Sequence, residues 1–287
     1  MPRKQRQSSS TLIGIVSALS RETRYIRRDI QIARTIIHEG VELFEGRFGE
    51  TEVVLFSCGS GLGGSARFNR IIDRYPFSLI LSLGYGGALR EGLEPGKLIV
   101  CRRMYRLNGD SDTDSASTEH ATEYSTEYST ASSAECQSPS LTVPADIGAG
   151  VTTESIAGAE RKMELGRRIE GSLVVDMEGY QIVTRAKERG IPTVVLRAIV
   201  DRVDEDLGYT KSLVDLQPNL SGFVQAAIVV LAKPARLKQL IRLASASRRA
   251  SRALSTAAKS FLSNPSNGAS RSQSGGLLTQ QKPEPIS

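Results

Sequence analysis

Leu79-Ile80-Leu81-Ser82-Leu83 runs straight into Gly84-Tyr85-Gly86-Gly87. The first five residues are apolar almost without interruption and too few for a helix. A short continuous run of this kind reads as a strand buried on both faces. Five more such runs occur, at 12–18, 53–58, 98–101, 173–176 and 193–199. Between them lie helical candidates. The stretch 65–75 sets Phe68, Ile71 and Ile72 on one face and is stopped by Pro76. The stretch 178–189 closes at Gly190-Ile191-Pro192, a helix stop followed by a proline. Buried strands alternating with helices predict an α/β sheet.

The chain has 287 residues, enough for one large domain or two small ones. Trp is absent and aromatics are 5%, so the core must be aliphatic. The net charge is +6, but it sits at the ends. Residues 216–287 hold ten Lys and Arg against one Glu, and Arg3, Lys4 and Arg6 add three charges. The middle, 7–215, is therefore net −6, which argues against a basic nucleic-acid-binding core. Cys58, Cys101 and Cys136 are odd in number and widely spaced, and the only histidines are His38 and His120. That pattern predicts no disulfide framework and no metal site, and fits a reduced, cytoplasmic protein. No apolar run approaches the ~18 residues a spanning helix needs. Arg3-Lys4 before an apolar stretch resembles a signal peptide, but the same residues serve better as a first strand.

Composition divides the chain further. Residues 1–10 read as a disordered basic N-terminus and 11–215 as the folded domain. Within it, 107–140 holds fourteen Ser or Thr, seven acidic residues and a tandem Thr-Glu-Tyr-Ser at 122–125 and 126–129. This composition predicts an exposed, low-complexity insertion. Residues 216–262 read as a basic helical extension, broken at Lys233-Pro234, with Pro234 opening a helix. Leu237, Leu240, Ile241 and Ala244 form its apolar stripe, beside Lys238, Arg242, Arg248, Arg249 and Arg252. Residues 263–287 read as a disordered tail.

Gly59-Ser60-Gly61-Leu62-Gly63-Gly64 satisfies G-x-G-x-x-G. A dinucleotide site also needs an acidic residue at the end of the next strand, and that strand ends in Gly84-Tyr85-Gly86-Gly87. The loop is left as either a close-approach site for some other ligand or a structural turn.

Chemistry-bearing residues cluster at strand ends, where α/β sheets place ligands. They are Glu22 in Ala18-Leu19-Ser20-Arg21-Glu22, the Gly84–Gly87 stretch, Met177 and Glu178 in Val175-Asp176-Met177-Glu178-Gly179, and Arg197 and Asp201 in Arg197-Ala198-Ile199-Val200-Asp201. Taken singly, Glu22 and Glu178 could be charges opening helices. Asp201 could be an N-cap ahead of Asp204-Glu205-Asp206. In order and spacing together, these motifs resemble the nucleoside phosphorylase/nucleosidase superfamily. Within it they resemble methylthioadenosine/adenosylhomocysteine nucleosidases, over 11–106 and 147–207. The resemblance implies a single α/β domain with a central mixed β-sheet of the nucleoside phosphorylase type, flanked by helices, with the C-terminal helical segment appended.

It also implies roles. Asp201 gives a proton to purine N7, Glu22 holds the attacking water, and Arg197 lies beside that water. Met177 packs under the ribose and Glu178 accepts its hydroxyls. Gly84, Tyr85, Gly86 and Gly87 line the pocket, and Ile156 stands in the purine-stacking segment. The chemistry suits these types. Adenine leaves poorly as an anion, so an acid must protonate it, and burial can raise a carboxyl's pKa toward neutrality. The oxocarbenium-like sugar wants a carboxylate and a held water nearby. The expected reaction is hydrolysis of the N-glycosidic bond of a 5′-substituted adenosine, with no cofactor and no metal. A phosphate-dependent phosphorylase is the first alternative, weakened because Ser82 and Tyr85 are not the groups phosphate needs there. A catalytically degenerate binding protein is the second, motivated by Tyr85 and Val200 where the family has small residues. The extension resembles that of hopanoid-associated phosphorylase-like proteins, which points to adenosylhopane as a third substrate candidate. It also points to contact with the inner membrane face through 233–259. A homodimer is the family expectation, and no nucleic-acid partner is expected.

Overall fold

The computed structural model describes residues 11–107, 131–206 and 234–264. Among them are ten strands: β1 (Leu12–Ser17), β2 (Gln31–His38), β3 (Val41–Phe48), β4 (Thr51–Ser57), β5 (Leu79–Ala88), β6 (Leu98–Leu107), β7 (Ala131–Glu135), β8 (Asp146–Thr152), β9 (Ser172–Asp176) and β10 (Thr193–Asp201). The helices are α1 (Ser20–Thr23), α2 (Gly61–Ile72), α3 (Ala159–Arg168), α4 (Gly179–Glu188) and α5 (Pro234–Leu262). The six apolar runs are β1, β4, β5, β6, β9 and β10. The mixed α/β architecture follows the expectation.

All ten strands join one sheet, in the order β10-β6-β8-β9-β5-β1-β4-β3-β2, with β7 on β6. β10 also pairs with β5, which closes β5, β10, β6, β8 and β9 into a ring. β1, β4, β3 and β2 extend from it as an open blade. The joint between ring and blade lies on β5. Its first half pairs with β1 over Leu79–Ser82, and its last residues, Gly87 and Ala88, pair with β9. A strand whose neighbour changes part-way leaves a crevice there, the usual ligand position in such sheets.

The core is mostly aliphatic, with Phe56, Phe68, Phe77 and Phe261 buried among Ile, Leu and Val. One face of the sheet is covered by α2 and α4 through Phe68, Ile71, Ile182 and Ala186. The other face is covered by α5, whose Ala250, Leu254, Ala257, Ala258 and Phe261 join Ile15, Leu55, Leu81 and Leu196. The appended C-terminal helical segment is present as expected, and its described residues pack onto the sheet. The buried stripe is Ala246, Ala250, Leu254, Ala257, Ala258 and Phe261, at helical spacing. Alanines carry little hydropathy signal, so this stripe stands out less in the sequence than Leu237, Leu240, Ile241 and Ala244 upstream. Of those, Ile241 and Ala244 are exposed, and the side chains of 234–240 lie outside the described residues.

The low-complexity insertion is also shorter than 107–140. Leu107 ends β6, and Ala131–Glu135 pairs with β6 as β7, burying Ala134 in the core. Residues 1–10, 108–130, 207–233 and 265–287 lie outside the described residues, and with them most of the reading of tails and insertion.

The glycine-rich loop serves its own turn. Gly59 has φ +85°, and a side chain on Gly64 would strike the Gly59 carbonyl. Gly59 N–H donates to Ala18 O and Cys58 N–H to Ser17 O, tying the β4–α2 connection to the end of β1.

Candidate active site

The crevice is organised along Gly84–Gly87. Where β1 has ended and β9 has not begun, the Tyr85 N–H on β5 has no strand partner. Glu22 Oε1 accepts it at 2.9 Å, and Glu22 Oε2 accepts Leu19 N–H at 2.7 Å. The carboxylate thus completes the edge of the sheet while lying buried, 4% exposed. Burial raises its pKa, opposed by these two hydrogen bonds and by the charges of Arg197 and Arg21.

Across β5 lies β10, in register Arg197 to Gly84 and Asp201 to Gly87. Arg197 is 2% exposed and partnered through Nε and Nη1. Its Nε bonds Asp176 Oδ2 at 2.7 Å, and its Nη1 reaches Ser82 Oγ at 3.2 Å and Leu196 O at 3.0 Å. Asp176 is saturated in turn. Oδ1 accepts Thr152 Oγ1–H at 2.6 Å, and both oxygens accept Gly179 N–H at the start of α4. Arg197 therefore anchors the end of β9, and its charge still reaches Glu22 and Glu178.

Asp201, 4% exposed, closes β10. Its Oδ2 meets Lys162 Nζ at 2.5 Å. Lys162 is fully buried, and its other two donors go to Arg202 O at 2.5 Å and Glu205 O at 2.6 Å. Burial raises the Asp201 pKa, Lys162 pulls it back, and Glu205 adds to the rise. Lys162 is not among the strand-end candidates because it lies on a helix. The signal was there on α3. Lys162, Leu165, Gly166 and Ile169 share one buried face, with a lysine where an apolar residue belongs.

The pocket glycines let β5 lie close to its neighbours, most tightly at Gly86. A Cβ on Gly84 would press on Arg197, one on Gly86 would strike Val174 and Val175 O, and one on Gly87 would meet Asp201 Oδ2 and Lys162. Tyr85 sends its hydroxyl to Ser251 Oγ on α5 at 2.6 Å, linking site and terminal helix. Met177 and Glu178 are half-buried where β9 passes into α4, and Ile156 is half-buried on the separate β8–α3 loop. Burial pushes the Cys58 and Cys136 thiols up to about 12 and Cys101 higher still, so none is a thiolate near neutrality. Among the described residues no group of three or more His, Cys, Asp or Glu could hold a metal ion.

A family model described as the phosphorylase superfamily matches residues 12–233. The chain belongs to that superfamily. Among its curated relatives is a 5′-methylthioadenosine/S-adenosylhomocysteine nucleosidase of Staphylococcus haemolyticus, 24% identical over 230 residues that span 77% of this chain and 100% of the relative. One so named from Exiguobacterium is 22% identical over 68% of this chain and 86% of its own length. Among solved structures, futalosine hydrolase of Helicobacter pylori aligns with TM-score 0.60 at 17% identity, covering 87% of this chain and 97% of that one. A 5′-methylthioadenosine/S-adenosylhomocysteine nucleosidase of Colwellia psychrerythraea, solved with adenine, aligns with TM-score 0.63 at 16% identity, covering 88% and 95%. At this identity the structural likeness shows the fold. This phosphorylase-superfamily chain carries two of its buried carboxyls, Glu22 and Asp201, beside one four-residue stretch of β5.

Proposed function

We propose that this chain is a purine nucleosidase that hydrolyses the N-glycosidic bond of a 5′-substituted adenosine and releases adenine. The observation that carries the reading is the convergence of Glu22 and Asp201 on Gly84–Gly87, each with its pKa raised by burial. The names of the curated relatives support the same chemistry. Asp201 gives its proton to purine N7 as the bond to the sugar breaks and the electron pair passes to the base. Glu22 takes a proton from the water that attacks the sugar carbon. Glu178 accepts the ribose hydroxyls, Met177 and Ile156 pack on the nucleoside, and Arg197 holds the β9–α4 corner while its charge steadies both glutamates. Acid catalysis of this kind supplies ~10²–10⁴-fold.

Hydrolysis is favoured over phosphorolysis. Phosphate wants a cation and a hydroxyl, and here Ser82 Oγ accepts from Arg197 Nη1 while Arg197 Nε is paired with Asp176. The deciding experiment is free-adenine release from methylthioadenosine, adenosylhomocysteine and adenosylhopane, with and without phosphate. Release that needs phosphate overturns the hydrolase. Binding without any release makes the chain a degenerate nucleoside-binding protein.

For the 5′ substituent we favour an apolar group presented at a membrane surface, on a homodimer at the inner face of the cytoplasmic membrane. The support is on α5, where Ile241 is 59% exposed and Arg248, Arg249 and Arg252 are exposed. No helix among the described residues is long and apolar enough to cross a membrane. Ile241→Glu with Arg248→Glu should weaken co-sedimentation with anionic vesicles, and unchanged sedimentation rejects the contact.

A further inference from the structure

We propose that Lys162 is a positioning residue for the acid step, the fixed counter-ion for the carboxylate that Asp201 becomes on giving up its proton. The inference rests on the nucleosidase reading above. A lysine is rarely buried fully, and burying its charge is costly unless it is paired and hydrogen-bonded. This one spends its three donors on Asp201, Arg202 O and Glu205 O, all within 2.6 Å. Two of those acceptors are backbone carbonyls of the loop after β10, so Lys162 fixes the carboxylate and the loop together. It engages Oδ2 alone, and no donor among the described residues reaches Oδ1. One oxygen is held by Lys162, and the other is left to take a partner of its own.

The charged groups facing Asp201 are Lys162 from α3 and Glu205 from the loop. Glu205 is in turn paired with Arg242 of α5, and Arg202 lies close to it. When the bond to the sugar breaks, the Asp201 proton moves to N7 and a carboxylate remains beside the ammonium. A cation already in place needs no reorganisation at that moment. Lys162 thus makes Asp201 a stronger acid, and sets the pH above which it is no longer loaded. This role predicts a movement of the pH profile, which a purely structural lysine does not.

The test is the pH profile of kcat/KM for adenine release by the full chain. Lys162→Gln removes the charge and keeps two N–H donors for the loop carbonyls. Its alkaline limb should move up by about 1–3 pH units, the usual effect of one close opposite charge. Lys162→Arg should leave the limb near its original place. Glu205→Gln, which leaves Lys162 intact, should move it down, and it carries the test if Lys162→Gln does not fold. An active wild type with an unmoved limb in Lys162→Gln, or in Glu205→Gln where that variant carries the test, overturns the role of Lys162 alone. A wild type that releases adenine from no nucleoside overturns the nucleosidase reading and this inference with it.

Discussion

Two buried ion pairs lie at the same end of the sheet, and they are built differently. Asp176 accepts on both oxygens, from Arg197 Nε, Thr152 Oγ1–H and Gly179 N–H, and Arg197 also bonds Ser82 and Leu196 O through Nη1. Lys162 and Asp201 are just as buried, yet Asp201 keeps one oxygen without a donor among the described residues. A saturated carboxylate can only hold structure, because any new partner must displace an old one. A half-saturated one can hold structure through one oxygen and do chemistry through the other. The strand ends alone do not show this distinction, since Asp176 and Asp201 both close an apolar strand.

Replacing Asp201 by Asn should therefore cost turnover first, by ~10²–10⁴-fold in single-turnover adenine release. Near-normal rates would remove Asp201 from the reaction and erase the contrast. Arg197→Met attacks the other pair. It strands Asp176 as a buried charge without its cation, a change that costs about 3–5 kcal/mol. Urea unfolding should show that loss. A variant of wild-type stability would mean that Asp176 is reached by water and that the pair is not a scaffold.

The same contrast explains what could be read in the sequence. The six runs that became β1, β4, β5, β6, β9 and β10 were legible because they are buried on both faces and apolar throughout. β2 was not, because it is the outermost strand and most of its residues face solvent. Its hairpin turns on Glu39-Gly40, both at positive φ, where Asn-Gly would have announced the turn. β7 hid in a Ser/Thr-rich stretch because an added edge strand needs backbone pairing more than side chains. In the site, Glu22, Glu178, Arg197 and Asp201 were legible as charges at the ends of apolar strands. Their division of labour was not. Which carboxylate is saturated depends on Thr152, Gly179 and Lys162, which come from β8, α4 and α3 and reach the site only through the ring closure of the sheet.

The finest probe of the contrast is the glycine behind each pair. A Cβ at position 84 would stand 3.3–3.4 Å from the Arg197 side chain. A Cβ at position 87 would stand 3.1 Å from Asp201 Oδ2 and 3.2 Å from Lys162 and from Val175. Neither clash is prohibitive, so Gly84→Ala and Gly87→Ala should each cost about 1 kcal/mol, the low end for overpacking a core. Their effects on activity should differ. Arg197 is held on several sides, so Gly84→Ala should be felt mostly as lost stability with kcat near wild type. Asp201 can turn about its one held oxygen, so Gly87→Ala should shift that carboxyl and lower kcat more than its stability loss explains. Thermal unfolding and adenine-release rates on the same two proteins separate the cases. Equal kcat losses in both variants would mean that the two pairs respond alike, and that the open oxygen of Asp201 carries no special function.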